Sequence, residues 1–89
     1  MTLKVNFVAA GKRIWSGDAD MVIAPGFSGD FGILKGHESM VTLLCDGIIK
    51  VSSHDENMQT QLTNVKVEAG FLSCCEDEVS IVTDSAEIL

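Results

Sequence analysis

Positive charge is scarce in this chain: six Lys and Arg stand against thirteen Asp and Glu, a formal charge of −7 over 89 residues. That excess repels phosphate backbones, so nucleic acid and anionic lipid are excluded as expected partners and a basic or neutral protein surface is favoured. Long apolar runs are missing too. Apolar residues make up 46% of the chain, yet no stretch approaches the roughly twenty that a membrane-spanning helix needs, and no membrane insertion is expected. The start, Met1-Thr2-Leu3-Lys4-Val5-Asn6, alternates polar and apolar residues, with no unbroken apolar region and no small-residue cleavage site. A cytosolic chain is expected.

Cysteine occurs three times, an odd number in no disulfide framework. Cys74 and Cys75 are neighbours and on a strand would face opposite ways, which disfavours a bridge or a metal site. Cys45, in an apolar run, reads as a small buried hydrophobe. Histidine is scarcer. His37 beside Glu38, and His54 beside Asp55 and Glu56, could form acid–base pairs or metal ligands, but strand neighbours point apart and no third ligand has a recognisable spacing. The chain has no Gly-x-Ser-x-Gly elbow and no phosphate loop. No catalytic residue, metal or cofactor is expected.

What the chain does have is a period of two. Leu3, Val5, Phe7 and Ala9 alternate with more polar residues, and Ala10-Gly11-Lys12-Arg13 makes a turn. Ile14–Gly17 is expected as a second strand and Asp18–Ala24 as a third, ended by Pro25. Met40–Cys45 is ambiguous by period, but its length and the following Asp46-Gly47 favour a strand entering a turn. Ile48–Ser52 is another strand, His54–Asn57 a polar hairpin tip and Gln59–Leu62 a modest strand. Val65, Val67 and Ala69, and then Val79, Ile81 and Thr83, alternate in turn. About eight to ten short strands with no convincing amphipathic helix point to an all-β fold, an antiparallel β-sandwich or flattened barrel. One domain is expected, over 1–85. Residues 86–89 form a short tail, helix-compatible and preceded by the good cap residues Asp84 and Ser85.

The most distinctive stretch is Gly29-Asp30-Phe31-Gly32-Ile33-Leu34-Lys35-Gly36-His37. Three glycines, Gly29, Gly32 and Gly36, enclose an apolar triplet. The stretch reads either as a bulge and tight turn at a sheet edge or as a shaped loop carrying a partner contact. Trp15 and Phe71 read as core. Phe27 and Phe31, among glycines, read as an exposed apolar pair beside Asp30, a plausible docking patch.

Together with Trp15-Ser16-Gly17, Pro25-Gly26, Thr42-Leu43-Leu44, Gly70-Phe71-Leu72 and Val79–Glu87, the glycine stretch resembles the amino-terminal β-sandwich of the epsilon subunit of the F-type ATP synthase, over essentially the whole chain. Three departures stand out. Lys35 takes the place of a usual proline, which implies a more mobile loop. Ala69 replaces a second glycine, which implies no demand for positive φ there. Ala9-Ala10 lies where the family has threonine or serine with proline. Family members usually continue into two antiparallel helices that restrain ATP hydrolysis and in some cases bind ATP. Without that hairpin, neither ATP binding nor the helical brake is expected of this chain.

The resemblance implies a non-catalytic rotor component of the central stalk, peripheral on the cytoplasmic face of the bacterial plasma membrane. It would bind the gamma subunit on one side and the c-ring on another, coupling proton-driven rotation to ATP synthesis. By the same resemblance, Phe27, Ser28, Asp30 and Phe31 are c-ring-facing candidates and His37, Met40 and Thr42 are gamma-facing candidates. A generic acidic β-sandwich adaptor accounts equally well for composition and period, but not for the ordered landmarks. A cupin-like β enzyme is disfavoured by the few, badly spaced histidines.

Overall fold

The computed structural model describes residues 3–27, 29–54 and 60–89. Alternation drives the first strand: in β1 (Leu3–Ala9) Leu3, Val5, Phe7 and Ala9 are buried and Lys4 is exposed, as a pleat with one wet face requires. Ala10 and Gly11 sit at φ 49° and 79°, forming a two-residue turn whose twist suits a hairpin. β2 (Lys12–Ala19) then pairs antiparallel with β1, with a register shift at Phe7/Val8 that leaves Ile14 as the extra residue. Through this bulge Ile14 and Trp15, neighbours in sequence, both pack against the core.

β3 (Met21–Gly26) and β4 (Gly29–Leu34) form a hairpin in which Pro25 lies opposite Asp30. Pro25 therefore does not end its strand. Pairing of β3 with β6 stops at Ile23, so the missing N–H falls where no donor is needed on that side, and the Pro25 carbonyl accepts a bond from Cys45 N at 2.9 Å. The other strands are β5 (Met40–Leu44), β6 (Gly47–His54), β7 (Thr60–Cys75) and β8 (Glu78–Ile88). The order is β2-β1-β8-β7-β6-β3-β4, with β5 also on β7. Every pair is antiparallel except β1 and β8, which run parallel. The expected all-β architecture holds, with eight strands among the described residues.

A single bend converts this path into a sandwich. The first half of β7 pairs with β6 and the second half with β5, while β8 runs along both halves. Buried positions change parity between them: Val65 and Val67, then Leu72 and Cys74. In β8 the buried Val79, Ile81 and Thr83 give way past Asp84 to the half-buried Ala86. Ala69 at the bend has φ 38°, which corrects the expectation that this position tolerates ordinary backbone. Its N–H donates to Asp46 Oδ1 at 2.8 Å. Gly70 admits no side chain, since a Cβ there would lie 2.2 Å from the Val82 carbonyl oxygen.

The core is one cluster that includes Leu3, Phe7, Val22, Ile33, Ile49, Val67, Leu72 and Ile81. Phe7 meets Trp15 edge to face, with ring centroids 5.9 Å apart at 75°. Three further expectations are corrected. Phe71 is 42% exposed, because the parity change at the bend turns it outward. Residues 86–88 are strand rather than a helix start, since β8 pairs with Val65–Val67 through Ile88. Cys45 is half-buried rather than fully inside. Cys74 is buried and Cys75 exposed, as adjacent strand residues should be.

Candidate partner-binding surface

The glycine stretch is mostly strand. Gly29–Leu34 is β4, at the end of the sheet order, so the turn-at-an-edge reading is the correct one. Gly29 and Gly36 adopt φ 117° and 85°, conformations open to glycine at little steric cost. Gly32 has no positive φ, pairs with Ile23 inside the hairpin and shapes no loop. Phe27 at the hairpin tip is 74% exposed and Asp30 is exposed beside it. Phe31 turns inward, half-buried against the core. The expected aromatic pair is therefore one exposed ring and one supporting ring. Ser28 lies outside the described residues, as does the Asp55–Asn57 part of the polar hairpin tip.

β5 crosses next to this hairpin. Its alternation sends Leu44 and Met40 toward the core and Val41 and Leu43, 74% and 63% exposed, to the outer face. Thr42, half-buried, lines a shallow depression with Gly26, Phe27, Gly29, Asp30 and Phe31. The structure thus brings one gamma-facing candidate together with three ring-facing ones. At roughly 290 Å³ the depression is at the small end for an enclosed ligand and is shaped more like the seat of a protein side chain. Met40 is half-buried, with part of its side chain packed against the core.

His37 lies in the exposed turn after β4, its N–H bonded to the Leu34 carbonyl at 3.1 Å and its Nδ1 to the Glu38 carbonyl at 2.7 Å. This turn is pinned to the β7–β8 hairpin. Gly36 N–H donates to Asp77 Oδ1 at 2.8 Å and Lys35 Nζ lies 3.2 Å from Oδ2. The Gly36 amide first, and the Lys35 ammonium second, hold the Asp77 carboxyl below its ordinary value. Lys35 thus anchors the turn that its sequence comparison suggested would be looser. Burial, and then the Asp77 charge, push the Cys74 thiol upward, which makes it unreactive.

Sequence reasoning missed a second constellation. His54 Nδ1 bonds Asp20 Oδ2, and His54 Nε2 lies 3.3 Å from Thr60 Oγ1. The order acid, imidazole, hydroxyl matches that of a nucleophilic relay, but the His54 and Asp20 side chains are 39% and 35% exposed, open to water at the ends of their strands. The arrangement ties the β2–β3 corner to the base of the β6–β7 hairpin. Asp20 is 34 residues from His54, so no local pattern could have revealed it. Among the described residues no group of three or more His, Cys, Asp or Glu is placed to hold a metal, and no helix is long and apolar enough to cross a membrane.

Against known proteins, residues 2–88 match the family model described as the ATP synthase delta/epsilon chain β-sandwich domain. The ATP synthase epsilon chain of Nostoc sp. is 36% identical over 88 residues, covering 98% of this chain and 61% of the relative. The epsilon chain of Frankia casuarinae is 34% identical and covered to 99% in both directions. The chain spans about three fifths of the length of the cyanobacterial relatives it matches. In structure it superposes with TM-score 0.85 and 21% identity on a chain of the Euglena gracilis mitochondrial ATP synthase, over 98% of this chain and 53% of that one. That likeness speaks to the fold.

Proposed function

Because the chain belongs to the family of the ATP synthase delta/epsilon β-sandwich domain, we propose that it serves as the non-catalytic foot of the central stalk, gripping the gamma subunit and the c-ring so that rotation of the ring is passed on without slip. The observation that carries this reading is the depression beside the β3–β4 hairpin. There a ring-facing acid, Asp30, an exposed ring, Phe27, and a gamma-facing candidate, Thr42, adjoin on a rigid sheet. Two partners that must turn together are best held by contiguous surfaces of one stiff body, and cross-strand pairing resists the shear between them.

In this reading Phe27, Ser28, Asp30 and Phe31 meet the polar loops of the ring, and His37 and Thr42 approach gamma. Met40 supports that surface from beneath. The chain works peripherally on the cytoplasmic face of the membrane, binds no nucleic acid, and couples proton flow to synthesis performed by other subunits. The test is a pull-down of purified gamma by the 89-residue chain, with a His37→Asp, Thr42→Asp double variant as control. One-to-one capture lost in the variant supports the reading. Failure of the folded, unaltered chain to capture gamma overturns it in favour of an acidic adaptor for another protein.

A further inference from the structure

Residues 35–39 carry the chain from β4, at the end of the sheet order, to β5 on β7. All of them are exposed, so no buried side chain fixes the path of this connection, and each residue it orders loses backbone freedom. Polar bonds must hold it instead. Two are local: His37 N–H donates to the Leu34 carbonyl at 3.1 Å, and His37 Nδ1 bonds the Glu38 carbonyl at 2.7 Å. These tie the turn only to itself and to the end of β4. The other two converge on one carboxylate far along the chain: Gly36 N–H donates to Asp77 Oδ1 at 2.8 Å, 41 residues away, and Lys35 Nζ lies 3.2 Å from Asp77 Oδ2.

Asp77 is a firm post for them. With Glu76 it makes the two-residue β7–β8 turn, at φ 49° and 64°, and its carbonyl accepts the Lys4 N–H at 2.9 Å. Its main chain is therefore bound to β1 while its side chain reaches the β4–β5 connection. The second place of such a turn ordinarily goes to glycine. A carboxylate kept there at a conformational cost points to a task outside the turn. Charge selects the same pair. Against thirteen acids and six bases, Lys35 is, among the described residues, the one Lys or Arg within 4.0 Å of a carboxylate.

We infer that Asp77 is the positioning residue of the β4–β5 connection: it holds Lys35 and Gly36 so that His37 meets the gamma subunit in a turn already ordered. This rests on the gamma-binding reading above and adds to it a residue that acts on gamma only through the turn it holds. A turn fixed in advance spares the entropy that a mobile one loses on docking. Opening the clip therefore weakens capture while the sandwich stays folded.

The test measures gamma affinity for the whole 89-residue chain and for three variants, each checked for folding by Trp15 fluorescence. Asp77→Asn keeps an oxygen for the Gly36 amide but loses the charge facing Lys35, and should weaken capture about threefold. Asp77→Gly gives the hairpin the residue its own geometry prefers, yet should weaken capture about tenfold, because both bonds to the connection are gone. Adding Lys35→Pro to Asp77→Gly should restore most of that loss. A proline fits there: Leu34 before it is strand, and among the described residues the Lys35 N–H donates to no backbone carbonyl. Neither a loss of fold nor a direct contact between Asp77 and gamma would be repaired at residue 35. In the free chain the Gly36 amide resonance should shift, and exchange faster with water, when Asp77 becomes Gly. An unmoved Gly36 amide, full capture by Asp77→Gly, or no rescue by Lys35→Pro overturns the inference and leaves the gamma reading standing. If the folded, unaltered chain does not bind gamma, both fall.

Discussion

Asp46 Oδ1 accepts the Ala69 N–H at 2.8 Å, and this one bond closes the corner on which both halves of the sandwich depend. It occupies the point where β5 has ended and β6 has not begun, opposite the residue whose φ of 38° breaks the parity of β7. Asp46→Ala is expected to lower unfolding stability by about 1–2 kcal/mol, because a backbone donor loses its partner at a strained residue. Ala69→Gly should raise it by about 0.5 kcal/mol, as relief of the left-handed strain exceeds the added freedom of the unfolded chain. Gly70→Ala should cost about 3 kcal/mol or prevent folding, since the backbone of Val82 and Thr83 cannot move away. Urea titration followed by Trp15 fluorescence compares all three.

Thr83 is 5% exposed and its Oγ1 has no hydrogen-bond partner among the described residues. Thr83→Val replaces the hydroxyl by a methyl of similar size, so the desolvation penalty disappears. Stability should rise by about 1 kcal/mol, read as a shift of the urea midpoint without a change of slope. An unchanged midpoint would mean that the hydroxyl is satisfied in solution.

The clip of Asp77 on Lys35 and Gly36 has a definite pH signature. A carboxyl held below its ordinary 3.8 in the folded chain binds fewer protons there than when unfolded. Its contribution is therefore complete above that value and is lost as pH falls through the lower, folded one. The stability difference between the unaltered chain and Asp77→Asn should be constant near neutrality and shrink in acid below about pH 4. Raised salt should reduce the Lys35 part of it. A difference that grows toward low pH would contradict the assignment.

Asp30 is exposed beside Phe27 on a chain of net charge −7. Asp30→Lys should weaken association with isolated c-ring and make what remains less sensitive to salt, while leaving stability within about 0.5 kcal/mol. Ring binding measured across a salt series decides it, and unaltered affinity would remove Asp30 from that interface.

Strand content and the family were both legible in the residues, because period-two alternation and glycine spacing are local signals. β1 shows why. Leu3, Val5, Phe7 and Ala9 need only the pleat to find the same side. The site was legible only in part. Asp30 and Phe27, singled out by the resemblance and the glycines around them, do lie exposed at one hairpin, but Phe71, Ala69 and Lys35 were misjudged, each because its place depends on a residue far along the chain. Lys35 reaches Asp77, Ala69 reaches Asp46, and Phe71 faces outward because the corner shifts parity between Val67 and Leu72.

Composition and alternation thus determined that this chain is an acidic, all-β domain. The tertiary structure alone decided which side of each strand meets water past the bend and which distant residues share a surface. A bulge or a positive φ reverses every side chain beyond it, and the free energy that selects such a bend lies in the packing of the two layers against each other.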